Sequence, residues 1–370
     1  MGRTVVIVGL GNVGSHTAPL VARMREVSRI VLVDQDKYAR SNVDSQSITA
    51  GECGRSKALV QALRLRRIRA SLQVTAIAAA VDRVPLGRLR GDAILACVDN
   101  RAARQYLSQA ARHLGVPLVD AGVHADGMLA RVSIFPPAAS AACLECGWTQ
   151  REYDAIEQAY PCQPEGAPAA VPTGAPAHLG ALAASLQAAE CRRLLPGSAA
   201  GPDVSREIVV DANSHRMLAT RHVRNPDCRL ADHGAWHIRR LQQGPEDLTL
   251  AEAIGPGAPA GERRNGRLWI EGQPFVTRLR CLKCGNEIAT LRLRRSLGDR
   301  ERTCKSCRGR LEAAAADIVS SLSLDEVPES ERSRSLRALG LEAHDVFAVE
   351  CGGATRYREL RGPDDGARDR

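Results

Sequence analysis

The 370-residue sequence predicts an α/β fold, a mostly parallel sheet flanked by helices, with a small four-cysteine module appended. Three observations predict it. Short all-apolar runs at residues 5–8, 30–33 and 93–98 are the mark of strands buried on both faces. Segments of helical character follow, to about residue 25 after the first run and over 101–114 after the third. Cys281-x-x-Cys284 and Cys304-x-x-Cys307, nineteen residues apart, have the spacing of a zinc ribbon.

Between the first run and its helix stands Gly9-Leu10-Gly11-Asn12-Val13-Gly14. Gly9 permits a tight turn, Gly11 lets the backbone approach a phosphate, and Gly14 allows close helix packing. The helix that follows offers unpaired N–H groups and a partial positive charge to an anion. Asp34 ends the second run, twenty residues after Gly14, where it can hydrogen-bond a ribose. Strand, loop, helix, strand and acid agree on a Rossmann-like nucleotide site, without choosing between ATP and NAD. Residues 118–120 read as a fourth strand, 179–195 as a helix and 208–210 as a further strand. Residues 162–176 and 244–266 have loop and linker composition, and a helix is expected over 311–321.

Composition narrows the function. The net charge of +9 sits in short arginine clusters without interleaved aromatics, which total only 3% of residues. Phosphates or an acidic protein surface account for it, and a nucleic-acid partner is disfavoured. Six of the twelve cysteines form three C-x-x-C pairs, which points to metal ligation in a reducing, cytoplasmic setting rather than to disulfides. No apolar stretch approaches membrane-spanning length. Four thiolates at 281, 284, 304 and 307 suit tetrahedral Zn²⁺, and Lys283, Lys305 and Arg308 favour the ionised thiols.

Further signals lie in Asp34-Gln35-Asp36, Ser41-Asn42-Val43-Asp44-Ser45-Gln46, Gly54-Arg55-Ser56-Lys57, Cys97-Val98-Asp99-Asn100 and Gly115-Val116-Pro117-Leu118. In this order they resemble the ThiF/MoeB/HesA family, the bacterial relatives of ubiquitin-activating E1 enzymes, over residues 4–235. The resemblance implies ATP-dependent adenylation of the C-terminal carboxylate of a small ubiquitin-fold carrier protein ending in Gly-Gly, and a homodimer. It places Asp34 and Asp36 with Gly9, Gly11 and Gly14 in the nucleotide site, Asn42 near the phosphates, Lys57 on phosphate charge and Asp99 on Mg²⁺. It also implies a zinc site beginning at Cys143 and Cys146. The family's second C-x-x-C is absent, and Cys228 and His233 complete the set, with His237 as a rival ligand. Cys162 falls where similar E1 enzymes carry a thioester-forming cysteine, while Cys53, Cys97, Cys191 and Cys351 read as packing residues.

Two departures bear on activity. Ser45 replaces the family's arginine, and the chain starts at the first strand with only Arg3 before it, so Arg40 or Arg55 would have to substitute. Losing one charged contact to a transition state costs about 3 kcal/mol, roughly a hundredfold in rate. An NAD-dependent oxidoreductase and a catalytically idle relative are the competing readings. The expected organisation is an adenylation domain over 1–235, a linker over 236–275, a zinc ribbon over 276–312 and a C-terminal extension over 313–370.

Overall fold

The computed structural model describes residues 2–159, 174–195, 204–230, 233–255 and 266–363. Two compact units form: Met1–Val84 with Leu89–Trp236, and Pro85–Arg88 with His237–Arg370.

The first unit runs β1 (Arg3–Val8), α1 (Gly14–Ala22), β2 (Val27–Val33), α2 (Lys57–Ile68), β3 (Gln73–Ile77), β4 (Ala93–Ala96), α3 (Arg101–Leu114), β5 (Leu118–His124) and β6 (Leu129–Phe135). Then come α4 (Gln150–Ala159), α5 (Ala177–Leu194), β7 (Arg206–Asp211) and β8 (Arg216–Arg221). Eight strands make one sheet in the order β3-β2-β1-β4-β5-β6-β7-β8. The pairs from β3 to β5 are parallel, and β6, β7 and β8 join antiparallel.

Chemistry follows burial along this sheet. The Val5, Val6 and Ile7 side chains are fully buried, as an all-apolar central strand requires. By contrast β8 is exposed along its length, with arginine at both ends and the apolar side chains of Met217 and Leu218 between them uncovered. The direction of winding reverses between β1 and β4, so their carboxyl ends flank the crevice where α/β sheets take ligands. Gly9 follows one of these ends and Cys97 the other.

α5 lies across the sheet and fastens it internally. Its Gln187 is fully buried, donates to the carbonyls of Ala96 (3.0 Å) and Val119 (2.9 Å), and accepts from the Thr17 hydroxyl (2.9 Å). Cys97 donates to the same amide oxygen at 3.1 Å. Burial pushes that thiol up to about 12, so it packs as an inert residue.

The second unit contains β9 (Ile238–Arg240), α6 (Leu250–Ile254), β10 (Arg267–Trp269), β11 (Phe275–Cys281), β12 (Glu287–Leu293), β13 (Leu311–Glu312), β14 (Ile318–Val319), β15 (Leu322–Ser323), α7 (Glu329–Arg332), β16 (Val346–Cys351) and β17 (Ala354–Glu359). One sheet has the order β15-β10-β16-β17-β9, and a second is built on β12-β11-β13, with β14 also paired to β11. Two sequence-based expectations need correcting here. Residues expected as a linker supply β9, α6 and β10, which share a sheet and a core around Leu268 and Phe347 with the expected extension. The helix expected over 311–321 is β13, a single 3-10 turn (Ala315–Asp317) and β14. The alanine run that suggested it forms no α-helix, because both short strands take their hydrogen bonds from β11.

Candidate functional site

At the β1–α1 junction Gly9 adopts φ +85°, a left-handed conformation suited to glycine. A Cβ there would stand 2.5 Å from the Cys97 carbonyl oxygen, so this glycine lets β1 and β4 close up. Gly14 answers a packing demand, since a Cβ on it would collide with the Gly9 carbonyl oxygen. Gly11 is different. The nearest atom to a Cβ there is Gln46 Nε2 at 3.9 Å, which leaves its backbone open to a ligand.

Asp34 lies directly past β2 and is only 9% exposed. Its carboxylate accepts from the backbone N–H of Leu10 (2.7 Å) and of Asp36 (2.8 Å). Burial pushes its pKa up, against the opposing pull of Lys57 and of those two donors. Lys57 pairs with Asp36 at 3.3 Å and lies 5.9 Å from the centre of the Tyr38 ring. Tyr38 is a residue that sequence reasoning missed. Its buried hydroxyl donates to the Leu10 carbonyl (2.9 Å) and accepts from Gln61 (2.8 Å), which ties the glycine loop to α2. No spacing rule predicts that contact.

Asn42 spends its side-chain oxygen on the Ala39 backbone N–H at 2.9 Å, capping a short 3-10 turn. Its neighbour Gln46 reaches over Gly11. Asp99 is exposed beyond β4 and accepts weakly from the Asn100 amide at 3.4 Å, while Asn100 caps α3 through the Ala103 N–H at 2.8 Å. Arg104 donates to the Val98 carbonyl at 2.5 Å and pairs with buried Asp120, so it fixes the strand end that carries Asp99. Arg40 and Arg55 are exposed.

Among the described residues, three buried polar atoms beside this loop have no hydrogen-bond partner: Asn12 Oδ1, His16 Nε2 and Gln46 Oε1. Leaving such an atom unpaired costs about 1–3 kcal/mol, which a polar ligand would relieve. These orphans, open Gly11 and the uncapped N-terminus of α1 fit a bound nucleotide. Asp99, exposed and with capacity to accept, suits a cation that keeps much of its hydration shell, as Mg²⁺ does.

A second constellation is fully assembled. Cys143, Cys146, Cys228 and His233 are all buried, with ligand atoms within 4.8 Å of one another. Cys143 Sγ lies 3.8 Å from Cys146 Sγ, 3.7 Å from Cys228 Sγ and 3.5 Å from His233 Nε2. A zinc ion at bonds of ~2.3 Å to sulfur and ~2.0 Å to nitrogen gives tetrahedral edges of about 3.8 and 3.5 Å. The match is close. His233 Nδ1 faces the Ala141 carbonyl at 3.4 Å, which leaves Nε2 as the ligand atom. His233 therefore fills the fourth position that the sequence left open to His237. Arg112 donates to the Ala138, Ala141 and Ala142 carbonyls and so holds the loop that carries the first two cysteines.

The third constellation, in the second unit, is Cys281, Cys284, Cys304 and Cys307, again within 4.8 Å. Cys281 and Cys307 sulfurs are 3.4 Å apart, and those of Cys284 and Cys304 are 3.7 Å apart. Among the described residues, only six buried side chains form the hydrophobic cluster around them, two of them cysteines. Four thiols gathered this closely could hold a metal ion, which would stabilise so small a module. Cys162 lies outside the described residues.

The ThiF family profile matches residues 3–230, more than half of the chain. The chain belongs to the ThiF family. Its curated relatives include the sulfur carrier protein ThiS adenylyltransferase of Escherichia coli, 30% identical over 40% of this chain and 59% of that one. The molybdopterin-synthase adenylyltransferase of the same organism is 29% identical over 61% of this chain and 86% of its own length. Across the first curated relatives the aligned part is only 38% to 59% of their length. Among solved structures, Escherichia coli MccB with succinimide superposes at a TM-score of 0.51 with 20% identity, over 61% of this chain and 66% of that one. That likeness concerns the fold. For this ThiF-family chain no helix among the described residues is long and apolar enough to cross a membrane.

Proposed function

We propose that this chain is an ATP-dependent adenylyltransferase that activates the C-terminal carboxylate of a small ubiquitin-fold or sulfur-carrier protein. The observation that carries this reading is the open backbone at Gly11, set at the switch point of the sheet beside Asp34 and Lys57. The naming of two relatives as adenylyltransferases supports it.

In the reaction a carboxylate oxygen attacks the α-phosphorus of ATP. A P–O bond forms to the acyl group, the bond from the α-phosphorus to the bridging oxygen breaks, and that oxygen leaves with its electron pair in pyrophosphate. Two anions must meet, so the protein's task is to offset charge. The loop N–H groups and the N-terminus of α1 would face the phosphates, and Asp34 would accept from the ribose. Lys57, released from Asp36, would hold the phosphate charge that grows during attack. Mg²⁺ held by Asp99 would supply further positive charge. Arg104 would act indirectly, by holding the strand ends through Asp120 and the Val98 and Ala121 carbonyls.

With Ser45 in place of the family arginine, the rate would be lower than in relatives that carry it. The Cys143–Cys146–Cys228–His233 set and the Cys281–Cys284–Cys304–Cys307 set would each hold Zn²⁺ in a structural role. Cys162 would accept the acyl group as a thioester, with AMP as the leaving group. The test is radiolabelled pyrophosphate–ATP exchange with carrier proteins ending in Gly-Gly. Exchange with one carrier is the expected result. Its absence with every carrier, or thermal stabilisation by NAD and none by ATP, overturns the reading. Cys162→Ala should keep exchange and lose a thiol-labile acyl adduct.

A further inference from the structure

The chain's positive charge is concentrated in one place. Residues 275–312 carry eleven Lys and Arg against four Asp and Glu, a net +7 of the chain's +9. The other residues, nine-tenths of the chain, are close to neutral. A zinc tetrathiolate carries two negative charges, so a metal centre offsets less than a third of this excess. Arg295 pairs with buried Asp345 and Arg278 approaches Asp317 at 3.9 Å, both acids outside this segment, so about three positive charges remain for something else.

The geometry shows where they point. Along β11 the buried side chains Leu279 and Cys281 alternate with outward Arg278 and Arg280, and Glu287 on β12 pairs with both arginines. Arg292 pairs with Glu301 and Arg310 with Glu312. Three of the module's four acids, Glu287, Glu301 and Glu312, are therefore engaged by these arginines. At the cysteine turns the cations have no such partners. Lys283, Lys305 and Arg308 are exposed, and among the described residues none of them pairs with an acid. The two turns adjoin, because Lys283 Cβ lies 2.8 Å from where a Cβ on Gly309 would stand and Leu282 N–H donates to the Arg310 carbonyl at 3.0 Å. Leu282, between Cys281 and Lys283, is 68% exposed.

We infer that this face of the four-cysteine module is a docking surface for an acidic protein segment that also presents an aliphatic side chain. Charge complementarity favours a polyanion and steers its approach. Leu282 selects a protein over a nucleic acid, since a sugar–phosphate backbone offers no apolar side chain to cover it. Stacking is absent as well. Residues 276–312 contain no aromatic residue, and Phe275 is fully buried, whereas single-stranded nucleic acid is held largely on aromatic faces. The surface is independent of the adenylation chemistry and would bind its partner without ATP.

The test uses the full chain and fluorescence anisotropy. One labelled probe is a sixteen-residue peptide of Glu and Asp with leucine at every fourth position. The others replace its leucines by serine or are a single-stranded oligothymidine of equal charge. The acidic leucine peptide should bind, more weakly as salt rises from ~50 to ~200 mM. The serine peptide and the oligonucleotide should each bind at least tenfold more weakly. Lys283→Glu with Lys305→Glu should raise the dissociation constant at least tenfold, Leu282→Ser about threefold to tenfold, and Lys283→Arg with Lys305→Arg should restore it. Zinc content and melting temperature report whether each variant is folded. If the double variant loses zinc, Arg308→Glu takes its place, with an expected loss of at least threefold. The inference fails if the leucine peptide does not bind, if the oligonucleotide binds more tightly, or if folded charge-reversed variants bind unchanged.

Discussion

Gly11→Ala separates ligand approach from folding at the nucleotide loop. A Cβ at Gly11 would meet nothing nearer than Gln46 Nε2 at 3.9 Å, an ordinary van der Waals contact, and Gly11 has no positive φ to strain an alanine. The stability change should therefore stay within about 0.5 kcal/mol, with a slight gain from the stiffer unfolded chain. A phosphate oxygen accepting from this stretch of backbone must come to about 2.9 Å of a nitrogen, on the side the new methyl group occupies. Losing one charge-assisted hydrogen bond of about 1.5–3 kcal/mol raises the dissociation constant for ATP roughly 10- to 100-fold. Isothermal titration with ATP and Mg²⁺, beside thermal unfolding, reads both quantities. Gly9→Ala is the contrasting control. Its left-handed φ of +85° and the 2.5 Å approach to the Cys97 carbonyl should cost about 1–3 kcal/mol in stability. If Gly11→Ala binds ATP within threefold of the natural chain at an unchanged melting temperature, no phosphate approaches this backbone and the reasoning is refuted.

Lys57→Ala should reduce pyrophosphate exchange at least a hundredfold with ATP affinity changed less than tenfold, and equal losses in both would show a purely binding role. His233→Ala should lower the zinc content, measured by plasma mass spectrometry, from two equivalents per chain toward one, while His233→Cys retains it; two full equivalents in the alanine variant would remove His233 from the site. Burial raises the pKa of Asp34 in the fold, so the folded chain holds a proton that the unfolded chain has released. That contribution to stability is full below about pH 3.9 and is lost as pH rises through the raised value. Urea unfolding from about pH 4 to 7 should show this fall, and Asp34→Asn should flatten it. A slope unaltered by the substitution would place the titration elsewhere.

Much of the first unit is legible in the sequence because its signals are local. An all-apolar run has few alternatives to a buried strand, and α3 begins at Arg101 and ends at Leu114 as the sequence predicts, with Asn100 capping it and Gly115 in the left-handed conformation. The constellation around Cys143 is legible in all four residues, two by their spacing; Cys228 and His233 lie more than eighty positions away, and the structure chooses His233 over His237 for the buried set. The second unit was poorly legible for a physical reason. Strand β10 is three residues long and pairs with β15 and β16, more than fifty and more than seventy positions later, so nothing local marks it. An alanine-rich stretch after β13 favours helix by propensity, yet the ladder to β11 outweighs that preference.

The sequence by itself determined the glycine loop, the acid that ends the second strand, the four cysteines of the ribbon and, through the ordered motifs around Asn42, Lys57 and Asp99, the family. Those features depend on spacing along the chain, and spacing is fixed before folding. Only the tertiary structure decided that His233 completes the buried set, that Tyr38 and Gln187 brace the crevice, that Arg104 pins the Val98 carbonyl, and that Gly11 alone of the three glycines is left open. Each of these is a meeting of side chains brought together by burial and hydrogen bonding across distant elements, and such a meeting leaves no periodic trace in the order of residues.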